Sequence, residues 1–344
     1  MRHPGIFWSV PYWRQAVILT CSTIDRYSWR EDCWTELLEA ATANPTAQFI
    51  AILNPNSGPS TDTSDPSLYC VPVLRRKIPG ITLVGYVRTG YNKRDPGDVA
   101  DDINTYRKWA DLSADAGGVS ATSLKLDGIF LDEAGTFMEN EDGLDKYITY
   151  SQTIKQMLGE DALVIYNPGT KANQKLYDTG AMVVGYESPY KDYDPSILPT
   201  DATTQANTAI MLISFPTDTS TLTSTVESLS AYGALFITSA RIEEEDVYQV
   251  FGSNWNDFVK AVADLSSSSS SSNTSTVTSV STRSTSASTA ARETSAAPSA
   301  TGTTGEVAQT GANNAGAGTK WDFAILAVAA LAACGVLVVG CKLA

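Results

Sequence analysis

KLDGIFLDEA, residues 125–134, climbs from a lysine through a glycine and three apolar residues into two adjacent acids, Asp132 and Glu133. An apolar run this short, bounded by glycine and by charge, reads as a strand covered on both faces, at 128–132. Six further runs have the same character: 49–54 (FIAILN), 81–87 (ITLVGYV), 163–167 (LVIYN), 181–187 (AMVVGYE), 209–215 (AIMLISF) and 234–238 (ALFIT). Helical stretches separate most of them, at 34–43, 98–112, 143–158, 171–178, 222–232 and 255–265. Strand alternating with helix predicts βα units around a parallel sheet. An eighth strand comes from the N-terminal segment, either IFWSVPY or AVILT, and eight units in about 250 residues are the size of a (β/α)8 TIM-type barrel.

The 344-residue chain carries 24 basic and 38 acidic residues, a formal charge of −14 that argues against a nucleic-acid partner. Its one histidine, His3, stands near the N-terminus, so histidine-based nucleophile systems and histidine-rich zinc sites are disfavoured. No glycine-rich nucleotide signature occurs, and no cofactor is expected. Of five cysteines, Cys21, Cys33 and Cys70 lie in the first part of the chain and Cys334 and Cys341 at its end. Cys33 with Cys70 is the pairing expected in a secreted chain, each opening a helix after a barrel strand; buried free thiols are the alternative.

From Ser266 the sequence becomes a Ser/Thr/Ala tract too poor in apolar residues to fold, which reads as a disordered, O-glycosylated stalk with a sequon at Asn273. Small residues, a polar spacer and an apolar run close the chain. That order fits a GPI-attachment signal cleaved around Asn313, Asn314 or Gly316, the rival being a transmembrane helix over 323–341. Both place the barrel outside the cell, on the plasma membrane or wall. The resulting map is an atypical segment at 1–32 holding the first strand, the barrel at 33–265, the stalk at 266–320 and the hydrophobic anchor signal at 321–344. The N-terminus, broken by Pro11, Arg14 and Gln15, makes a poor secretion signal, which suggests a truncated or mis-spliced start.

Barrel active sites are built at the C-terminal ends of the strands. Those ends carry Asn54, Tyr86 with Arg88, Asp132 with Glu133, Asn167, and Glu187. In a regular strand Asp132 and Glu133 would face opposite sides, so the strand must end near Asp132 and Glu133 must turn over the mouth. Acids at a barrel mouth without histidine suggest glycoside hydrolysis, one carboxyl protonating the leaving oxygen and another attacking or activating water. Each acid taken singly could instead cap a helix or pair with Lys or Arg. Glu187 or Asp132 is cast as nucleophile or base and Glu133 as general acid, its pKa raised by neighbouring carboxylates and partial burial; substrate assistance, with Asp132 orienting an acetamido group, is the variant. Asn54, Tyr86, Arg88, Asn167 and Tyr190 are candidate donors and acceptors for sugar, with Tyr91 and Trp109 candidate stacking surfaces; core or rim packing is the plainer reading of each, and above all of Trp109. NPNSGP also reads simply as a strand-ending turn.

The segments FIAILNPNSGP (49–59), VGYVRTGYNKR (84–94), DGIFLDEA (127–134), YNPGT (166–170) and VVGYESPY (183–190) resemble the spherulin-4 family of fungal and slime-mould cell-surface proteins, across roughly residues 33–260. The resemblance implies a (β/α)8 fold and glycoside hydrolase family 135 activity, endo-cleavage of α-1,4-linked N-acetylgalactosamine in galactosaminogalactan, with the acidic triad falling on Asp132, Glu133 and Glu187. It also implies that WSVPYW (8–13) is the first strand, with the next nineteen residues an insertion such as a retained intron would leave. The expected partners are a galactosamine-containing polysaccharide and, through the C-terminus, a membrane, for a chain acting as a monomer. Two rivals stand beside the enzyme: a wall-anchored structural or carbohydrate-binding protein without catalysis, and a site using the three acids to hold Mg²⁺ or Ca²⁺.

Overall fold

A computed structural model describes residues 15–22, 33–114, 122–242 and 247–271. Eight parallel strands close a barrel: β1 Ala16–Ser22, β2 Gln48–Asn54, β3 Thr82–Arg88, β4 Gly128–Asp132, β5 Leu163–Tyr166, β6 Met182–Pro189, β7 Thr208–Ile213 and β8 Ala234–Ile237. Their order round the barrel follows the chain, and β1 closes it by pairing with β8, Ala16 opposite Ala234. A helix follows each strand: α1 Thr35–Ala43, α2 Pro66–Lys77, α3 Pro96–Trp109, α4 Leu144–Leu158, α5 Gln174–Tyr177, α6 Ala202–Ala206, α7 Thr219–Ser228 and α8 Trp255–Ser271. Strand residues on both faces are buried, as the unbroken apolar runs require: Phe49 to Leu53 are all at most 2% exposed.

The first strand is AVILTCS. It runs in register with β2 from Ala16 opposite Gln48 to Ser22 opposite Asn54, and so fills the place expected for WSVPYW. Residues 8–13 themselves lie outside the described residues, as do His3, Asn273, the attachment candidates Asn313, Asn314 and Gly316, and the apolar segment 323–341. Among the described residues no helix is long and apolar enough to cross a membrane.

Three elements differ from the sequence reading. Helix α2, absent from it, begins at Pro66 behind Asp65, whose carboxylate accepts the Ser67 N–H at 2.9 Å; Pro72 inside the helix masks its pattern. The five-residue α6 is likewise absent from it, being too short for a helical period to show. Helix α8 does not stop at Leu265 but continues to Ser271: Ser266 and Ser267 hydroxyls bond back to the carbonyls of Val262 and Ala263, at 3.2 and 3.0 Å. Cys33 and Cys70 form a disulfide, tying the entry of α1 to α2 with a Cα–Cα distance of 5.5 Å.

Candidate active site

The acids assemble where β3 to β6 end. Arg88 of β3 lies opposite Asp132 of β4, and the Asn167 N–H donates to Leu131 O at 2.9 Å, extending the ladder one residue beyond β5. Alternation along β4 turns Asp132 to the same side as Phe130, whose ring stacks with Tyr86 inside the barrel. Glu133 would then face the helix layer, where a charge is costly. It escapes by leaving the strand: its φ is 50°, in the left-handed region that non-glycine residues seldom occupy.

That turn is held from below. The Thr89 hydroxyl lies 2.8 Å from the carbonyl oxygens of both Asp132 and Glu133, and 2.8 Å from the buried Tyr147 hydroxyl. Backbone donors fix the same segment, Thr89 N–H to Asp132 O at 2.9 Å and Ala134 N–H to Asn167 O at 2.9 Å.

Glu187 reaches the mouth by a different device. In β6, Val184 pairs with Ala209 and Tyr186 with Ile210, so Gly185 is an extra residue, a β-bulge. A strand of period two with Val184 inward would turn Tyr186 inward and Glu187 outward. The bulge exchanges them. Glu187 enters the barrel opposite Met211, while Tyr186 turns away and donates to Asp192 O at 2.6 Å.

Inside, one amide joins two acids. Asn167 Nδ2 donates to Asp132 Oδ1 at 2.8 Å and to Glu187 Oε2 at 2.7 Å, while its Oδ1 accepts Gly169 N–H at 2.9 Å, which fixes the orientation of the amide. The two carboxylate oxygens can be no farther apart than the sum of those distances, about 5.5 Å. The remaining oxygens are also engaged: Tyr86 OH donates to Asp132 Oδ2 at 2.6 Å, and Tyr248 OH donates to Glu187 Oε1. Glu133 stands apart in an ion pair, its Oε2 accepting from Arg88 Nε at 2.7 Å, with the arginine side chain 55% and the glutamate 18% exposed.

Burial pushes the Asp132 carboxyl above the ordinary carboxylate range, against hydrogen bonds from Tyr86, the Glu133 N–H and Asn167 that favour its charge. Burial also raises Glu187, assisted by the charge of Asp132 and opposed by Tyr248 and Asn167. The Tyr86 phenol is held well up, first by burial and then by the charge of Asp132, and so stays a donor. Burial thus lifts the two acids cast as bases, while Glu133, cast as the acid, is paired with Arg88.

The other candidates divide. Tyr86, Arg88 and Asn167 contact the acids directly. Tyr91 is 54% exposed with φ of 52°, and the charges of Glu133, Asp132 and Glu187 all reach its phenol, which is raised chiefly by burial. Tyr190 packs on Phe215, ring centroids 4.3 Å apart, and stacks with Tyr193. Asn54 serves the turn, its Oδ1 accepting Gly58 N–H at 3.2 Å. Trp109 is core: it is 2% exposed, set edge-on to Tyr106, and donates to Ser60 O. Sequence reasoning missed Tyr248, which lies past the last strand in a loop without a motif, and Thr89 with Tyr147, whose role depends on contacts between distant segments. Among the described residues no cluster of three or more His, Cys, Asp or Glu is arranged to hold a metal ion, so the reading of the three acids as a Mg²⁺ or Ca²⁺ site finds no geometric support.

The family model described as "Spherulation-specific family 4" matches residues 26–262. Spherulin-4 of Physarum polycephalum is 31% identical over 161 residues, 47% of this chain and 42% of that protein, so the match spans less than half of that relative. Among solved structures, Aspergillus clavatus Sph3 in complex with GalNAc is 25% identical, with a TM-score of 0.62, over 73% of this chain and 98% of that one. A Rhizomucor miehei chitinase is 10% identical with a TM-score of 0.42, over 73% and 100% of the two chains, too remote to carry an argument. Together with acids at a barrel mouth, the likeness to Sph3 supports a carbohydrate-active, enzyme-like role.

Proposed function

We propose that this chain, which belongs to the spherulation-specific family 4, is a glycoside hydrolase that cleaves within a polymer of N-acetylgalactosamine, α-1,4-linked as in galactosaminogalactan. The observation that carries the reading is the sharing of Asn167 Nδ2 between Asp132 and Glu187, with Glu133 beside them over the mouth. The sugar bound by the similar Sph3 barrel, GalNAc, supports the substrate class.

The roles follow from the hydrogen bonds. Asp132 and Glu187 each accept at both oxygens, an arrangement suited to carrying negative charge toward an oxocarbenium-like centre. Arg88 engages only Oε2 of Glu133, leaving Oε1 to present a proton to the glycosidic oxygen. With Glu133 as the acid and either Glu187 or the substrate's own acetamido group attacking, the reaction runs through two displacements at the anomeric carbon, so the reading is retention. The attacking group is the Glu187 carboxylate, or the substrate acetamido oxygen oriented by Asp132. Localisation at the outer face of the membrane or wall, through a GPI anchor or a transmembrane helix at the C-terminus, and action as a monomer complete the proposal.

The test is incubation of the full chain with purified galactosaminogalactan, with chitin and α-glucan as controls. Mass spectrometry should find N-acetylgalactosamine oligomers from the first polymer only, lost in folded Asp132→Asn, Glu133→Gln and Glu187→Gln, and proton NMR of fresh product should show the α-anomer first. No product from folded protein on any of the polymers would sink the enzyme reading in favour of a sugar-binding wall protein, and β-anomer first would overturn retention.

A further inference from the structure

Tyr248 comes from the loop between β8 and α8, 61 residues beyond Glu187, and no strand end delivers it. Its ring lies nearly parallel to Phe236 of β8, centroids 6.1 Å apart at 29°, so the barrel wall sets its direction. Its hydroxyl donates to Glu187 Oε1, the oxygen that Asn167 leaves open. Asp132 has a matching arrangement, Tyr86 on one oxygen and Asn167 on the other. The result is one chain of hydrogen bonds, Tyr86–Asp132–Asn167–Glu187–Tyr248.

The geometry points to Tyr248 as a positioning residue for Glu187, fixing the plane of its carboxylate and keeping it charged beside Asp132. The need is plain from the surroundings. Glu187 meets the charge of Asp132 from β4, has the phenol of Tyr91 within electrostatic reach from the β3–α3 loop, and is buried; Arg88 is committed to Glu133. Among the described residues two side-chain donors reach the Glu187 carboxylate and favour its charge, Asn167 and Tyr248. Asn167 is shared with Asp132 and stabilises either acid. Of the two acids, the Tyr248 hydroxyl donates to Glu187, so it favours the negative charge on Glu187 over Asp132.

This rests on the glycosidase reading only where turnover is measured, and the test has a readout without turnover. Tyr248→Phe removes one oxygen and retains the ring on Phe236. Carboxyl ¹³C NMR titration, with Glu187 assigned through Glu187→Gln, should show the Glu187 midpoint displaced upward by about one pH unit in Tyr248→Phe, because a donor to the charged form has gone. In turnover the acid limb of kcat should move up by the same amount, with KM changed less than about twofold, and at low pH kcat should fall about tenfold. A Glu187 midpoint that stays in place, or moves down, overturns the assignment. Should Tyr248→Phe not fold, Tyr248→p-aminophenylalanine keeps a weaker donor and should give an intermediate upward displacement, with an unchanged midpoint again overturning it. A displaced midpoint in a protein that cleaves none of the polymers leaves Tyr248 in this role and refutes the glycosidase.

Discussion

At the scale of single residues, the adjacency of Asp132 and Glu133 is useful only because Glu133 adopts a φ of 50°. Such a backbone costs on the order of 1 kcal/mol or more and persists where neighbours over-determine it. Thr89 and Tyr147 are those neighbours, bracing both carbonyls from beneath. In its proposed role as proton donor, Glu133 should contribute according to the leaving group. Glu133→Gln should lower kcat on the polymer about 10²–10⁴-fold. On an aryl N-acetylgalactosaminide bearing an acidic phenol, which departs without protonation, the loss should be far smaller. Equal losses on the two substrates, measured in parallel steady-state assays, would assign the donor to another carboxyl.

At the scale of elements, the parts that were legible and the parts that were not have one physical cause. Seven strands could be read because burial on both faces forces unbroken apolar runs, and Asp132 could be placed because those runs end in polar residues at the mouth. The first strand was ambiguous because IFWSVPY and AVILT are both short, largely apolar segments ahead of β2, and it is closure against β8 that singles out AVILT. The entry of Glu187 was invisible in sequence, since Gly185 gives no sign of an extra residue until β7 is set beside it. A Cβ at Gly185 would lie 2.8 Å from Thr208 Cγ2, inside a fully buried contact. Gly185→Val should therefore cost about 1–3 kcal/mol in denaturant unfolding and displace Glu187, with loss of activity. Thr208→Ser removes that methyl and keeps the hydroxyl bonded to Thr204 O, so it should recover part of both losses in the double variant. Strictly additive losses would show that the bulge does not depend on this contact.

At the scale of the whole molecule, the barrel is built against the charge it must hold. Its interior is apolar up to the last layer, where Asp132 and Glu187 share one amide, and burial raises both carboxyls above their unfolded values. A carboxyl with a raised native pKa binds more protons in the folded state than in the unfolded one at pH values above the ordinary carboxylate range, so stability falls as pH rises through that window. The pair is then a stability cost at neutral pH and none in acid. Asp132→Asn removes one of the two charges while its amide can donate to Tyr86 Oη and accept from Asn167, so the hydrogen bonds have replacements. The variant should match the wild type in Tm near pH 3.5 and exceed it increasingly toward pH 7, by roughly 2–4 °C for each kcal/mol relieved, while losing activity. Calorimetric scans across that range decide it. A Tm difference independent of pH would mean that the buried charges are fully compensated by their donors, and that the barrel gives up no stability for its acids.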